Sequence, residues 1–132
     1  MKKKKVFLSF IFIVVVLFII ILFSINNMQK SLSKLDKLTI ENINLSNAKD
    51  GTYNGSYGVF PVSAEVNVTI KNNKIVNIEL LKHNNGKGES AEILTEKVVE
   101  NQSLEVDIVS GATYSSKVIL KSIENALNKS IN

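Results

Sequence analysis

Val62-Ser63-Ala64-Glu65-Val66-Asn67-Val68-Thr69-Ile70 alternates apolar and polar residues without a break. Successive side chains of a β-strand point to opposite faces, so this stretch reads as a half-buried strand with Val62, Ala64, Val66, Val68 and Ile70 inward. Lys71-Asn72-Asn73-Lys74 follows, and its two asparagines tolerate positive φ. Val76, Ile78 and Leu80 then continue the inward face on a returning strand. The pair is a β-hairpin, and the sheet is antiparallel at this point. Upstream, Asp50-Gly51 is a turn signal and Thr52 to Tyr57 reads as a short strand.

Downstream, His83-Asn84-Asn85-Gly86-Lys87-Gly88 reads as a loop. A helix is expected from Ser90 as N-cap, with Glu92 in its first turn, to about Asn101. Ala91, Leu94 and Val98 share one of its faces. Leu104, Val106 and Ile108 alternate and predict a further strand, ending near Val109. A last helix, beginning near Ser115 or Ser116, carries Ile119, Ile123, Ala126 and Leu127 inward. The order of elements gives an α+β domain, a small antiparallel sheet with two helices packed on it, over residues 49–132.

A membrane element precedes the domain. Lys2, Lys3, Lys4 and Lys5 stand directly before Val6–Ile25, twenty residues without a charge. Twenty helical residues span roughly 30 Å, the thickness of the hydrocarbon core. The stretch is longer than a secretory apolar region and no Ala-x-Ala pattern follows, so an uncleaved signal-anchor is expected. The lysines should stay cytoplasmic, which makes residues 1–5 a cytoplasmic tail and places the domain outside a cell membrane. Residues 26–48 carry Met28, Leu32, Leu35 and Leu38 at near-helical spacing and are expected to form a helical stalk.

Charge and composition narrow the function. The net charge of +4 owes its sign to the tail, because removing Lys2–Lys5 leaves twelve basic residues against twelve acidic ones. Such a balance gives no footprint for nucleic acid. The chain has no cysteine, so disulfides, iron–sulfur clusters, thiol catalysis and lipid attachment through cysteine are excluded. With one histidine as well, no metal site is expected.

The chemistry-bearing stretch is Ser110-Gly111-Ala112-Thr113-Tyr114-Ser115-Ser116, which leads into the last helix. The first N–H groups of a helix lack partners and carry partial positive charge. Small residues before them let an anion approach, and phosphates bind at such ends. Gly111 admits an unusual turn. Thr113, Ser115 and Ser116 offer hydroxyls. On local physics alone two readings stand: a phosphate site, or ordinary capping by Ser and Thr.

Asp107-Ile108-Val109-Ser110-Gly111-Ala112-Thr113 resembles the flavinylation motif of the FMN-binding domain family: an Asp, two variable residues, Ser or Thr, then Gly-Ala-Thr or Gly-Ala-Ser. Asp50-Gly51-Thr52-Tyr53 resembles the family's opening and Lys74–Ile78 its second hairpin strand. His83, Gly86-Lys87-Gly88 and Ala91-Glu92 resemble a loop of its single-domain members, and Gln102-Ser103-Leu104 leads towards the motif. The resemblance covers about residues 50–128, in order. The family includes subunits of the sodium-pumping NADH:quinone reductase and of the Rnf complex, together with small membrane-anchored or secreted bacterial proteins.

The resemblance implies covalent FMN. A flavin transferase using FAD and Mg²⁺ would join the FMN phosphate to the Thr113 hydroxyl. Ser110, Gly111, Ala112, Ser115 and Ser116 would surround the phosphoester. Asp107 would be read by the transferase or hydrogen-bond locally. Tyr114 stacks near the flavin or packs in the core. His83 faces the isoalloxazine or is a solvated loop residue. Gly86 and Gly88 bring amides to the cofactor or belong to an ordinary loop. The implied function is electron transfer between a membrane donor, such as a quinone-linked or NADH dehydrogenase system, and an external acceptor. A flavin-dependent reductase and a non-redox partner-binding module are the alternatives. The short form lacks the added elements of the larger members, so membership of a sodium pump is not implied.

One competing motif fails on context. Gly86-x-Gly88-x-x-Ala91, with Asp107 downstream, mimics a dinucleotide fingerprint. The strand before it belongs to an antiparallel hairpin, and too few residues follow to build a βαβαβ half-fold.

Overall fold

The computed structural model describes residues 1–84, 86 and 88–132, with Lys2 described by its backbone. Asn85 and Lys87, part of the expected loop, lie outside the described residues. A single helix, α1 (Lys2–Asp36), opens the chain. Its apolar part is exposed throughout, and it is long and apolar enough to cross a membrane. Three strands follow, β1 (Gly51–Val59), β2 (Val62–Lys71) and β3 (Lys74–Asn84), in one antiparallel sheet of order β1-β2-β3. A 3-10 turn (Glu89–Ile93) leads into α2 (Leu94–Asn101), and α3 (Thr113–Ser130) completes the domain.

The alternation on β2 holds residue for residue: Val62, Ala64, Val66, Val68 and Ile70 are all buried. Its other face is polar. Thr52 and Thr69 hydroxyls meet across β1 and β2 at 3.0 Å, and Asn54 donates to Glu65 and Asn67. The returning strand departs from expectation. Thr69 pairs with Asn77 and Ile70 with Ile75, so Val76 is an extra residue in a β-bulge. The bulge shifts the phase: Ile75 and Ile78 are buried while Val76 is exposed. Leu81 is the extra residue of a second irregularity and is exposed likewise. The asparagine turn is as expected, with Asn72 and Asn73 both at positive φ.

Two further expectations are corrected. Ser90 does not cap the middle helix; Gly88 holds the cap position of the 3-10 turn, and Ser90 lies inside it. Ala91, Leu94 and Val98 nonetheless share the buried face. Leu104, Val106 and Ile108 form no strand. The Leu104 amide donates to Asn42 Oδ1, the Glu105 amide to Ser103 Oγ and the Val106 amide to the Leu104 carbonyl. With these three donors taken locally and by the connector, the first half of the segment has none to give to a sheet ladder.

The sheet's inward face packs on α3, whose Val118, Ile119, Ile123 and Ala126 are fully buried. Gly55 makes the close approach possible. A Cβ there would lie 2.0 Å from the Ser122 carbonyl oxygen and 2.6 Å from the Ala126 amide nitrogen. The segment after the membrane-length stretch also joins the core. It is helical to Asp36 and irregular beyond except for a 3-10 turn at Leu45–Asn47, rather than helical to residue 48. Leu35 is fully buried, and Leu32, Leu38, Ile40 and Ile43 pack on the same core. Lys117 Nζ donates to the Leu35 and Asp36 carbonyls at 2.5 and 3.1 Å, a cation at a helix C-terminus. Further along α3, the Glu41 amide donates to Glu124 Oε2 at 3.0 Å, and Lys121 pairs with Glu124 Oε1 at 2.6 Å.

Candidate functional site

The motif forms a tight turn that ends in α3. The Ala112 amide donates to the Val109 carbonyl at 3.0 Å, and Gly111 sits at φ +80°, a left-handed conformation glycine adopts without penalty. Helix α3 starts at Thr113, two or three residues earlier than expected. Thr113 is therefore the first helical residue, and it is exposed. The cap position falls to Ala112, which has no side-chain oxygen to give. Among the described residues, the first amide of α3 with an acceptor is that of Ser116, bonded to the Ala112 carbonyl at 2.9 Å. The amides of Thr113, Tyr114 and Ser115 have none among those residues. A helix start that uses alanine where serine, threonine or aspartate would serve leaves its positive end to an external acceptor.

Val62, Gly88, Gly111, Ala112, Thr113, Tyr114 and Ser115 line one shallow depression of about 130 Å³. The fold thus brings Gly88, from the loop after β3, to the motif. Val62, legible in the sequence only as core, contributes the apolar floor. The depression suits a phosphate and is well below the roughly 300–1,000 Å³ of pockets that enclose a cofactor-sized ligand. Three donor amides, a hydroxyl and open space around Gly111 fit the phosphoryl end of FMN. The flavin ring would have to lie outside on the surface.

The remaining candidates divide. Ser110 is exposed at the turn. Ser115 is buried and lines the depression. Ser116 is fully buried, and its hydroxyl is taken up within the turn: it donates to the Ala112 carbonyl and accepts the Val109 amide. Tyr114 is half-buried and packs against the core while its edge lines the depression. Asp107 is exposed in a separate hollow with Lys97, Glu100 and Asn101. Gly86 is exposed at φ +55° and does not line the motif's depression. His83 is not a solvated loop residue. It ends the inward face of β3 opposite Ala64, its side chain is 2% exposed, and its Nδ1 lies 2.8 Å from Glu92 Oε1.

The family model of the FMN-binding domain matches residues 61–128, more than half of the chain, from β2 through the motif and most of α3. No curated protein matches the chain. The Asp50–Tyr53 opening lies before the matched span. Val62, Gly88 and the whole of Asp107–Ser116 lie within it, and the chain belongs to the FMN-binding domain family.

Proposed function

We propose that this FMN-binding protein is a membrane-anchored, extracytoplasmic flavoprotein that carries FMN as a phosphoester of Thr113 and passes electrons between a membrane donor and an external acceptor. The observation that carries the reading is the uncapped start of α3, with the exposed Thr113 hydroxyl on its first residue. Attachment forms a bond from Thr113 Oγ1 to the flavin-side phosphorus of FAD. It breaks that phosphorus's bond to the bridging oxygen, so AMP leaves and the threonine proton passes to a base. A transferase with Mg²⁺ performs the step, and Asp107, exposed at the motif's first position, is open to recognition by it.

The amides of Thr113, Tyr114 and Ser115 then hold the phosphoester anion, and the helix dipole favours it. Gly88 and Gly111 keep side chains out of its approach. Bound FMN supplies one- and two-electron redox chemistry, which the protein positions and tunes. The small depression gives a reason for the covalent bond: a site that encloses so little of a flavin cannot retain it by contact alone. An open ring also favours a carrier over an enzyme that encloses a substrate. Lys2–Lys5 on one side of the apolar stretch support an outward-facing domain.

Co-expression with a flavin transferase tests the attachment. Wild type should give a fluorescent flavin band on a denaturing gel and Thr113→Ala a dark one, with the added mass on the Thr113 peptide. A dark wild-type band, or a fluorescent Thr113→Ala band, overturns the reading.

A further inference from the structure

The Phe60 side chain takes no part in the core. Phe60 is the sole phenylalanine outside the anchor, yet its side chain is 78% exposed. The tyrosines Tyr53, Tyr57 and Tyr114 all pack against the core. Other exposed apolar residues of the sheet have a local cause, since Val76 and Leu81 are the extra residues where β3 slips against β2. Phe60 stands instead in the two-residue turn Phe60-Pro61, closed by the Val59–Val62 pair.

Two observations place that turn at the motif. Val62, two residues on, lines the depression beside Thr113. Strand β1 also runs antiparallel along α3: Lys129 donates to the Asn54 carbonyl, Asn125 to the Ser56 carbonyl, and Gly55 faces Ser122 and Ala126. The far end of β1, where Phe60 sits, is therefore the end at which α3 begins. Two residues of chain span at most about 7 Å. The ribityl arm and three fused rings of FMN reach farther than that from the Thr113 oxygen.

On the reading that Thr113 carries FMN, we propose that Phe60 is the platform on which the isoalloxazine packs. The depression holds the phosphoester and is too small for the ring, so the ring needs an apolar partner on the surface. An exposed aromatic edge or face at the rim supplies it, by offset or edge-to-face contact. Phe60 is thus a positioning residue for the flavin, restricting the arc its arm could sweep and shielding one side from water.

The test uses the full chain, flavinylated by co-expression and held in detergent micelles, as wild type, Phe60→Trp, Phe60→Ala and Val76→Trp. Indole quenches flavin emission by electron transfer at contact, so Phe60→Trp should lose most of its native flavin fluorescence. Val76→Trp, exposed on the bulge at the other end of β2, should match wild type. Phe60→Ala should show lower flavin anisotropy and a weaker visible circular dichroism band. Equal emission from the two tryptophan variants overturns the assignment. So does indole emission in Phe60→Trp that shifts to the blue with lipid vesicles and is indifferent to the flavin, which would make Phe60 a lipid contact. Denaturing-gel fluorescence of the same samples separates the two readings. A bright wild-type band with an unquenched Phe60→Trp overturns the platform alone, whereas a dark wild-type band overturns both.

Discussion

Ser116 holds Val109 in place: the Val109 amide donates to its Oγ at 3.1 Å. The same hydroxyl donates to the Ala112 carbonyl at 2.8 Å, closing the turn that presents Thr113. Ser116 is fully buried, so Ser116→Ala leaves the Val109 amide without its partner where water reaches poorly. The expected cost is about 1–3 kcal/mol, the penalty of a stranded donor. Chemical denaturation should show that loss. Flavinylation should slow without stopping, because the Thr113 hydroxyl remains. A variant as stable and as quickly modified as wild type would contradict the role.

Gly111 is required for its backbone and not for its lack of bulk. Among the described residues a Cβ there would meet nothing within 4 Å, but φ is +80°. Gly111→Ala should therefore destabilise by about 1–2 kcal/mol through conformation alone. Gly111→Asn should cost less, since asparagine visits left-handed conformations more readily. Thermal melts of the two variants should rank them in that order. The reverse order would mean that the turn relaxes out of the left-handed region.

These two residues mark where sequence reasoning succeeds and where it stops. Periodicity made the core of β2 legible, because a strand buried on one face writes its geometry every second residue. It failed on β3, because a bulge inserts one residue and inverts the phase; Val76 looked inward and Ile75 did not. It failed again at Leu104–Ile108, where the Leu104 amide goes to Asn42 and the Val106 amide to the Leu104 carbonyl. The motif was visible in sequence, but its sharpest physical feature, alanine at a helix cap, depended on where α3 starts. Val62 and Phe60 were invisible as site residues because their relation to Thr113 is made by β1 lying along α3.

The contact between β1 and α3 is set by Gly55. Any side chain there collides with the Ser122 carbonyl and the Ala126 backbone, which are fixed inside a helix and cannot move aside. Gly55→Ala should destabilise by about 3 kcal/mol, the upper range for overpacking a core. It should also displace the Phe60 end of the hairpin from the motif. Denaturation midpoints would read the first effect and flavin anisotropy the second. A fully stable Gly55→Ala would show that the sheet and α3 can separate at little cost.

The connector between the membrane-length stretch and the sheet should behave as part of the domain. Leu35 is fully buried, and Lys117 reaches its carbonyl one helical turn beyond Thr113. Leu35→Ala removes three carbons from a packed site and should cost about 2–5 kcal/mol. Glu124→Ala removes the acceptor shared by the Glu41 amide and Lys121, leaving both partners in a part-buried setting. A flexible tether would be indifferent to either change, since nothing in it would be folded. The decisive comparison is between chains that begin at residue 27 and at residue 49, melted without the apolar segment. The longer should unfold cooperatively at higher temperature, and Leu35→Ala should bring its midpoint most of the way down to that of the shorter. Equal midpoints would mean that the connector lies on the domain without stabilising it, leaving α3 free to swing relative to the apolar helix.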